Sequence, residues 1–246
     1  MALRQIVLTF DVENDCSLES FKGIELGLPK ILRILEKYHI PATFFVTGEV
    51  AEIFPKVIRN LGEHHEVGCH GYYHESLKKI DSNKFKNIKT ARRILKEITD
   101  TRILGFRAPF LQVSQQLLIT LKKAGFEYDS SILWFKFLHW HLKPIIKEFW
   151  LMFPNVLFRF PLINQLFKIG CLLNSIPILY FHPWEGVDVR NLFFKRPHYF
   201  WNLISRPDRW LNSGASFISL LSRFIRHYLY HGFKFRTLRD VYFNSF

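Results

Sequence analysis

Residues 6–13, IVLTFDVE, decide how the rest of the chain is read. Ile6–Phe10 is a β-branched and aromatic run of the kind that packs into a sheet, and it stops on Asp11 and Glu13. The same device recurs downstream. Pro29–Tyr38 has apolar residues at helical spacing, with Pro29 suited to a first turn. Ala42–Thr47 predicts a second strand, closed by Gly48, and Glu49–Leu61 a helix kinked at Pro55. Glu66–Gly71 predicts a third strand, Asn83–Thr99 a basic amphipathic helix, and Ile103–Phe106 a fourth strand. Ser114–Ala124 predicts a helix capped by Ser114 and stopped by Gly125, and Phe126–Ser130 leads a fifth strand. Short, continuously apolar strands alternating with helices predict an α/β fold built on a parallel sheet or barrel. Farther on, Ile178–Phe181 predicts a further strand, Ser216–Leu229 a helix and Phe233–Leu238 a last strand.

Composition bounds what such a fold can be. The chain has 246 residues, 48% hydrophobic and 22% charged, which is enough apolar material for a sizeable core and excludes disorder as the main state. There is no linker, repeat or low-complexity tract, so residues 1–246 are read as one domain, with a basic aromatic insertion over about 132–175. The formal net charge of +13 points to an anionic partner. Residues 1–130 hold 19 Lys and Arg against 16 Asp and Glu, while residues 131–246 hold 15 against 5. All six Trp and 17 of the 26 Phe also lie in that second part, so the charge and the rings coincide. Residues Leu133 to Phe167 mix Trp, Phe and Leu with Lys and Arg, and the bland reading of that segment is a core-covering loop and helix with lysine stems laid over apolar surface. Its sharper reading is a patch for an anionic membrane, where rings favour the headgroup level. No nucleic-acid recognition motif is visible, so no nucleic-acid partner is expected.

Cys16, Cys69 and Cys171 are an odd number at wide spacing, which suggests neither a disulfide framework nor a zinc ribbon. The apolar run in MALRQIVLTF is too short for a signal peptide, and no stretch of about 18 apolar residues runs free of charge and proline. The expectation is a cytoplasmic protein, in peripheral contact with the inner membrane face if the sharper reading holds.

In an α/β barrel the chemistry sits where the strands end. Here the strand ends read Asp11-Val12-Glu13, Cys69-His70-Gly71-Tyr72-Tyr73-His74, Arg107-Ala108-Pro109-Phe110, Asp129-Ser130-Ser131 and His182-Pro183-Trp184-Glu185. Strand residues two apart face one way, so Asp11 and Glu13 can share a site. Taken singly, the two carboxylates read as loop caps, and His70 and His74 as a core and a surface histidine. Taken together, two imidazoles and a carboxylate are the open three-ligand set of a catalytic divalent metal, and the second carboxylate is free to act as a base. Asp15, beyond the strand, is a rival carboxylate that reads better as a loop residue. His64, His65, His139, His141 and His198 lie outside these strand ends and read as structural or surface groups.

The ordered set TFDVE, HGYYH, RAPF, DSS and YFHPWE resembles the polysaccharide deacetylase (NodB-homology) family of metal-dependent amide hydrolases, over roughly residues 5–185. The resemblance implies a distorted (β/α) barrel of about seven strands with one divalent metal, commonly zinc. It implies Glu13, His70 and His74 as metal ligands and Asp11 as general base for the attacking water. Arg107 would hold Asp11 ionised and oriented. His182 would be the general acid that protonates the leaving amine, with Asp129 behind it. Pro109 and Phe110 would line the groove, and Leu179 and Trp184 would shape the acyl pocket. Two features depart from the family. Val12 separates Asp11 from Glu13 where two adjacent aspartates are common, and Phe110 stands where Tyr is common. The implied substrate is an N-acylated sugar, in a polymer or linked to a lipid. A hydrolase of a small cyclic amide or ureide on the same fold, or a non-catalytic sugar- or membrane-binding module, are the competing readings.

Overall fold

The computed structural model describes residues 4–15, 20–133, 142–152, 155–160, 176–190 and 210–244. Most of the basic aromatic insertion, including His139 and His141, lies outside the described residues, as do Cys16, Cys171 and His198.

β1 (Gln5–Val12) is the axis of the molecule. It pairs in parallel with β2 (Thr43–Val46) on one edge. On the other edge it pairs in parallel with β7 (Ile178–Phe181) and, nearer its start, with β8 (Lys234–Arg236). β3 (Glu66–Cys69), β4 (Gly105–Phe106), β5 (Tyr128–Asp129) and β6 (Lys147–Glu148) follow outward from β2, all parallel. The strand order is β6-β5-β4-β3-β2-β1-β7, with β8 also on β1. The sheet curls far enough for Met152 N to donate to Ile178 O at 3.0 Å, so the segment after β6 meets β7. The result is the distorted parallel barrel that the sequence predicts, with eight strands described where about seven are expected.

The two-residue period of β1 sorts its side chains. Ile6, Leu8, Phe10 and Val12 pack outward into the core shared with the helices. Val7 packs inward with Phe45, Tyr128, Ile178 and Tyr180. Thr9, Asp11 and Glu13 continue that inward row toward the open end.

The outer layer holds α1 (Leu28–Lys37), α2 (Gly48–Ile53), α3 (Pro55–His64), α4 (Ser82–Thr99), α5 (Gln115–Ala124), the single turn α6 (Asn155–Phe158), α7 (Ala215–Tyr230) and α8 (Leu238–Phe243). Ser114 accepts from Leu117 N, and Gly125 closes α5 at φ +86°, as its sequence predicts. The expected single helix kinked at Pro55 is two helices. Phe54 breaks out of helical geometry at φ −122° and ψ 49°, and Pro55 opens the second helix at a position that needs no N–H donor. Among the elements without a sequence signal strong enough to predict them are β6 and α8. β6 is a charged pair with no apolar run, and α8 is six residues set by a Thr237–Asp240 capping box.

Candidate metal and acid–base centre

All strands being parallel, their C-terminal ends open on one side. Ladder bonds run one residue beyond the strands there. His70 N donates to Val46 O, Arg107 N to Cys69 O and Ser130 N to Phe106 O, each at 2.9 Å. The functional side chains thus hang from backbone that is still sheet-bonded.

Glu13, His70 and His74 converge. Glu13 Oε2 lies 3.0 Å from His70 Nε2 and 2.7 Å from His74 Nε2. One ligand atom from each of the three falls within 4.8 Å of the others. Gly71, at φ +79°, turns the chain after His70 so that His74 comes back to the same point. His70 Nδ1 lies 2.8 Å from Arg107 O. A carbonyl can only accept, so Nδ1 carries a proton, and Nε2, which here donates to Glu13, is the atom that would turn a lone pair to a cation on losing its proton. Burial pushes the Glu13 pKa up, but the hydrogen bonds to His70 and His74 outweigh it, and Glu13 stays ionised. One carboxylate and two imidazoles with a ligand atom of each converging are a donor set that fits a zinc-like divalent cation.

Asp11 faces a separate partner. Arg107 Nη1 donates to Asp11 Oδ1 at 2.7 Å and to Thr9 Oγ1 at 2.7 Å. The rest of the guanidinium is tied to Ser130, Nε to its carbonyl at 2.7 Å and Nη2 to its hydroxyl at 2.9 Å. Its plane lies over the Phe45 ring at 4.2 Å. A buried, permanently charged guanidinium tied at Nε, Nη1 and Nη2 therefore sets the direction of Asp11. Asp15 lies apart from this set. It accepts from Ser20 Oγ at 2.9 Å and from Gly23 N at 3.0 Å, and burial raises its pKa to about 6, so it is the loop residue that the sequence favours.

His182 approaches from β7, with Nε2 3.9 Å from Glu13 Oε1. Burial pushes its pKa down, but the Glu185 hydrogen bond and the charges of Glu13 and Asp11 outweigh it, and the net direction is up. Trp184 stacks on the imidazole with ring centroids 5.5 Å apart. Pro109 is buried, while Phe110 is 53% exposed and packs on His74 at 4.3 Å, at the mouth of the site. Phe110 and Leu111 hold φ of +58° and +52°, a costly backbone for residues with side chains, and that strain turns the Phe110 ring outward.

Two expected roles are corrected. Asp129 does not stand behind His182. Its carboxylate accepts from Ser131 N at 3.0 Å and Ser131 Oγ at 2.8 Å, and Ser131 Oγ accepts from Ala108 N at 2.8 Å. Asp129 thus braces the turn after Arg107, and the carboxylate beside His182 Nδ1 is that of Glu185, 3.4 Å away. Leu179 does not shape the pocket. It falls on the outward phase of β7 and packs in the helix-facing core, while Tyr180, one residue on, faces inward. Tyr180 could have been found by counting back two residues from His182. Thr9 likewise shares the phase of Asp11. Asn155 and Arg159, which reach Glu185, come from a stretch with no periodic pattern.

A parallel barrel with a His/His/carboxylate centre, a separate Arg-held aspartate and an opposing histidine defines a class of metal-dependent hydrolases. The chain belongs to the polysaccharide deacetylase family, whose model matches residues 2–128. A peptidoglycan deacetylase of Helicobacter pylori is 35% identical over 127 residues, covering 50% of this chain and 42% of that protein. The chain spans less than half the length of the curated relatives it matches. Among solved structures, a CE4 family pseudoenzyme from Bacillus anthracis superposes with a TM-score of 0.64 at 15% identity, over 97% of this chain and 65% of that one. The CE4 domain of a multidomain xylanase from the hindgut metagenome of Trinervitermes trinervoides gives 0.61 at 14% identity, over 99% and 91%. At that identity the two structures establish the fold only.

Proposed function

We propose that this chain is a metal-dependent amide hydrolase that removes the acyl group from an N-acylated sugar and acts as a single catalytic domain. The observation that carries the reading is the division of labour between two neighbouring carboxylates. Glu13 is committed to His70 and His74, and Asp11 to Arg107. Glu13, His70 and His74 would hold the ion, which we take to be zinc. When bound, it supplies a Lewis acid that lowers the pKa of water and draws charge from an acyl oxygen.

The chain's own residues do the rest. Asp11, oriented by Arg107, takes the proton from the attacking water. His182 gives a proton to the leaving nitrogen, which departs poorly as an amide anion and readily as an amine. Trp184 fixes the imidazole face, and Pro109 and Phe110 border the approach.

Exposure of Phe110 and of Tyr73 beside His74 favours an open groove for a sugar over the closed pocket that a small cyclic amide needs. A non-catalytic module would have no use for both the Asp11–Arg107 pair and His182, although a pseudoenzyme shares the fold. The deacetylase names of the family's members, and of the Helicobacter pylori relative, support the substrate class. The basic aromatic half supports a lipid-linked substrate and peripheral contact at the inner membrane face.

Release of free amine from N-acetylated oligosaccharides and peptidoglycan fragments tests the reading. Asp11→Asn should lower kcat by about 10²–10⁴-fold while the protein keeps its metal. Normal turnover in that variant would remove Asp11 from the role of base.

A further inference from the structure

Glu185 is a buried carboxylate that the steps above leave without a task. It stands three residues after His182, on the 3-10 turn Pro183–Gly186. Its Oε1 accepts from His182 N at 2.9 Å and from Asn155 Nδ2 at 2.8 Å, and lies 3.4 Å from His182 Nδ1. Its Oε2 lies 2.9 Å from Arg159 Nε. Arg159 is itself buried. Its Nη1 donates to Leu211 O at 2.8 Å, and its guanidinium lies 5.4 Å from the ring of Trp184. Asn212 Nδ2 donates to Arg159 O at 2.7 Å, so two distant stretches of chain are tied to one carboxylate.

We propose that Glu185 is the positioning residue for His182, with Arg159 as the buried counter-ion that fixes it. The task of His182 rests on the hydrolase reading above, whereas the hold on its ring does not.

A histidine that delivers a proton from Nε2 must have Nδ1 tied, or rotation about its ring axis swings Nε2 off target. A carboxylate anchored by a backbone N–H, an amide and a guanidinium cannot follow the ring, so the ring follows it. Trp184 blocks one face, Glu185 Oε1 at 3.4 Å and the Asn155 amide that it holds, with Nδ2 3.2 Å from Nδ1, fix the Nδ1 edge, and the Nε2 edge is left toward Glu13. When Nε2 gives its proton to the leaving nitrogen, the Nδ1 proton stays on the ring, directed at Glu185. Among the described residues Glu185 is the carboxylate within 4.0 Å of Nδ1. A carboxylate this deep needs a partner, and Arg159 is that partner.

Three zinc-loaded full chains test this: wild type, Glu185→Leu, and Arg159→Met/Glu185→Leu. The single variant leaves Arg159 buried without this counter-ion and should lose thermal stability. The double variant removes both charges and should recover much of that stability. In both, kcat on N-acetylated chitooligosaccharides should fall about 10²-fold, with KM and bound zinc unchanged. Side-chain ¹⁵N spectra, assigned against His182→Gln, should show one ordered His182 ring state in wild type and an averaged one in the double variant. Recovery of kcat together with stability in the double variant would reduce Glu185 to a structural ion pair and overturn the proposal. An unchanged His182 spectrum in the double variant would overturn it too. If wild type turns over no sugar, the hydrolase reading fails, and the spectra alone still decide whether Glu185 holds the ring.

Discussion

Asp129 and Glu148 meet as register partners across β5 and β6, two carboxyls with no basic group between them. Asp129 takes its hydrogen bonds from Ser131, and Glu148 has no N–H donor among the described residues. Burial raises the Asp129 pKa to about 6. Burial and then the Asp129 charge push Glu148 up to about 10. The pair shares a proton at neutral pH that the unfolded chain would have released. The native state therefore binds more protons than the unfolded state, and stability falls as pH rises from the ordinary carboxylate range toward about 10. Glu148→Gln supplies a permanent amide donor to Asp129. It should raise stability at pH 8 by about 1 kcal/mol, roughly 2–4 °C in Tm, with little gain at pH 5. Thermal melts at the two pH values check this. An equal gain at both, or a loss at pH 8, would mean that the carboxyls share no proton.

The Asp129 reading also marks the limit of arguing from strand ends. Residue types at five strand ends were enough to gather Asp11, Glu13, His70, His74, Arg107 and His182, because the ends of parallel strands converge and the two-residue period fixes which side chains enter. They did not say which carboxylate stands behind which partner. That depends on how the loops cross above the barrel, and loop crossings leave no periodic trace.

At the scale of elements, the loops after β1 and β7 decide where His182 sits. The π-helical turn Gly23–Gly27 lies against the turn Pro183–Gly186. Gly27 has no room for a side chain, since a Cβ would fall inside contact with Pro183 O, and Gly186 stands at 3.1 Å from Gly27 Cα by the same measure. Asp15 anchors the same turn through Gly23 N. Gly27→Ala should push the His182 turn outward by a fraction of an ångström to an ångström. The expected cost is on the order of 10²-fold in kcat, with metal content unchanged. Amine release and elemental analysis of that variant check it, and wild-type kcat would show that the two turns do not position the histidine. These glycines carried no sequence signal because their role is contact between loops more than 150 residues apart. Strands β1, β2 and β7, in contrast, were readable since each is a largely apolar run buried on both faces.

At the scale of the whole molecule, the excess of basic and aromatic residues in 131–246 sits in the half that supplies His182. No helix among the described residues is long and apolar enough to cross a membrane. If the half binds an anionic surface, the chain should sediment with vesicles containing phosphatidylglycerol and not with neutral ones, and about 0.5 M salt should release it. Equal binding to neutral vesicles, or none to either, would return those residues to the role of core cover.

The account stands on one centre, Glu13 with His70 and His74. Bound zinc per chain, measured by elemental analysis after reconstitution and desalting, tests it most directly when wild type is compared with Glu13→Ala and with His70→Ala/His74→Ala. The account predicts about one ion in wild type and almost none in either variant, with all three folded by circular dichroism. The same zinc content in all three, or none in wild type, would contradict it.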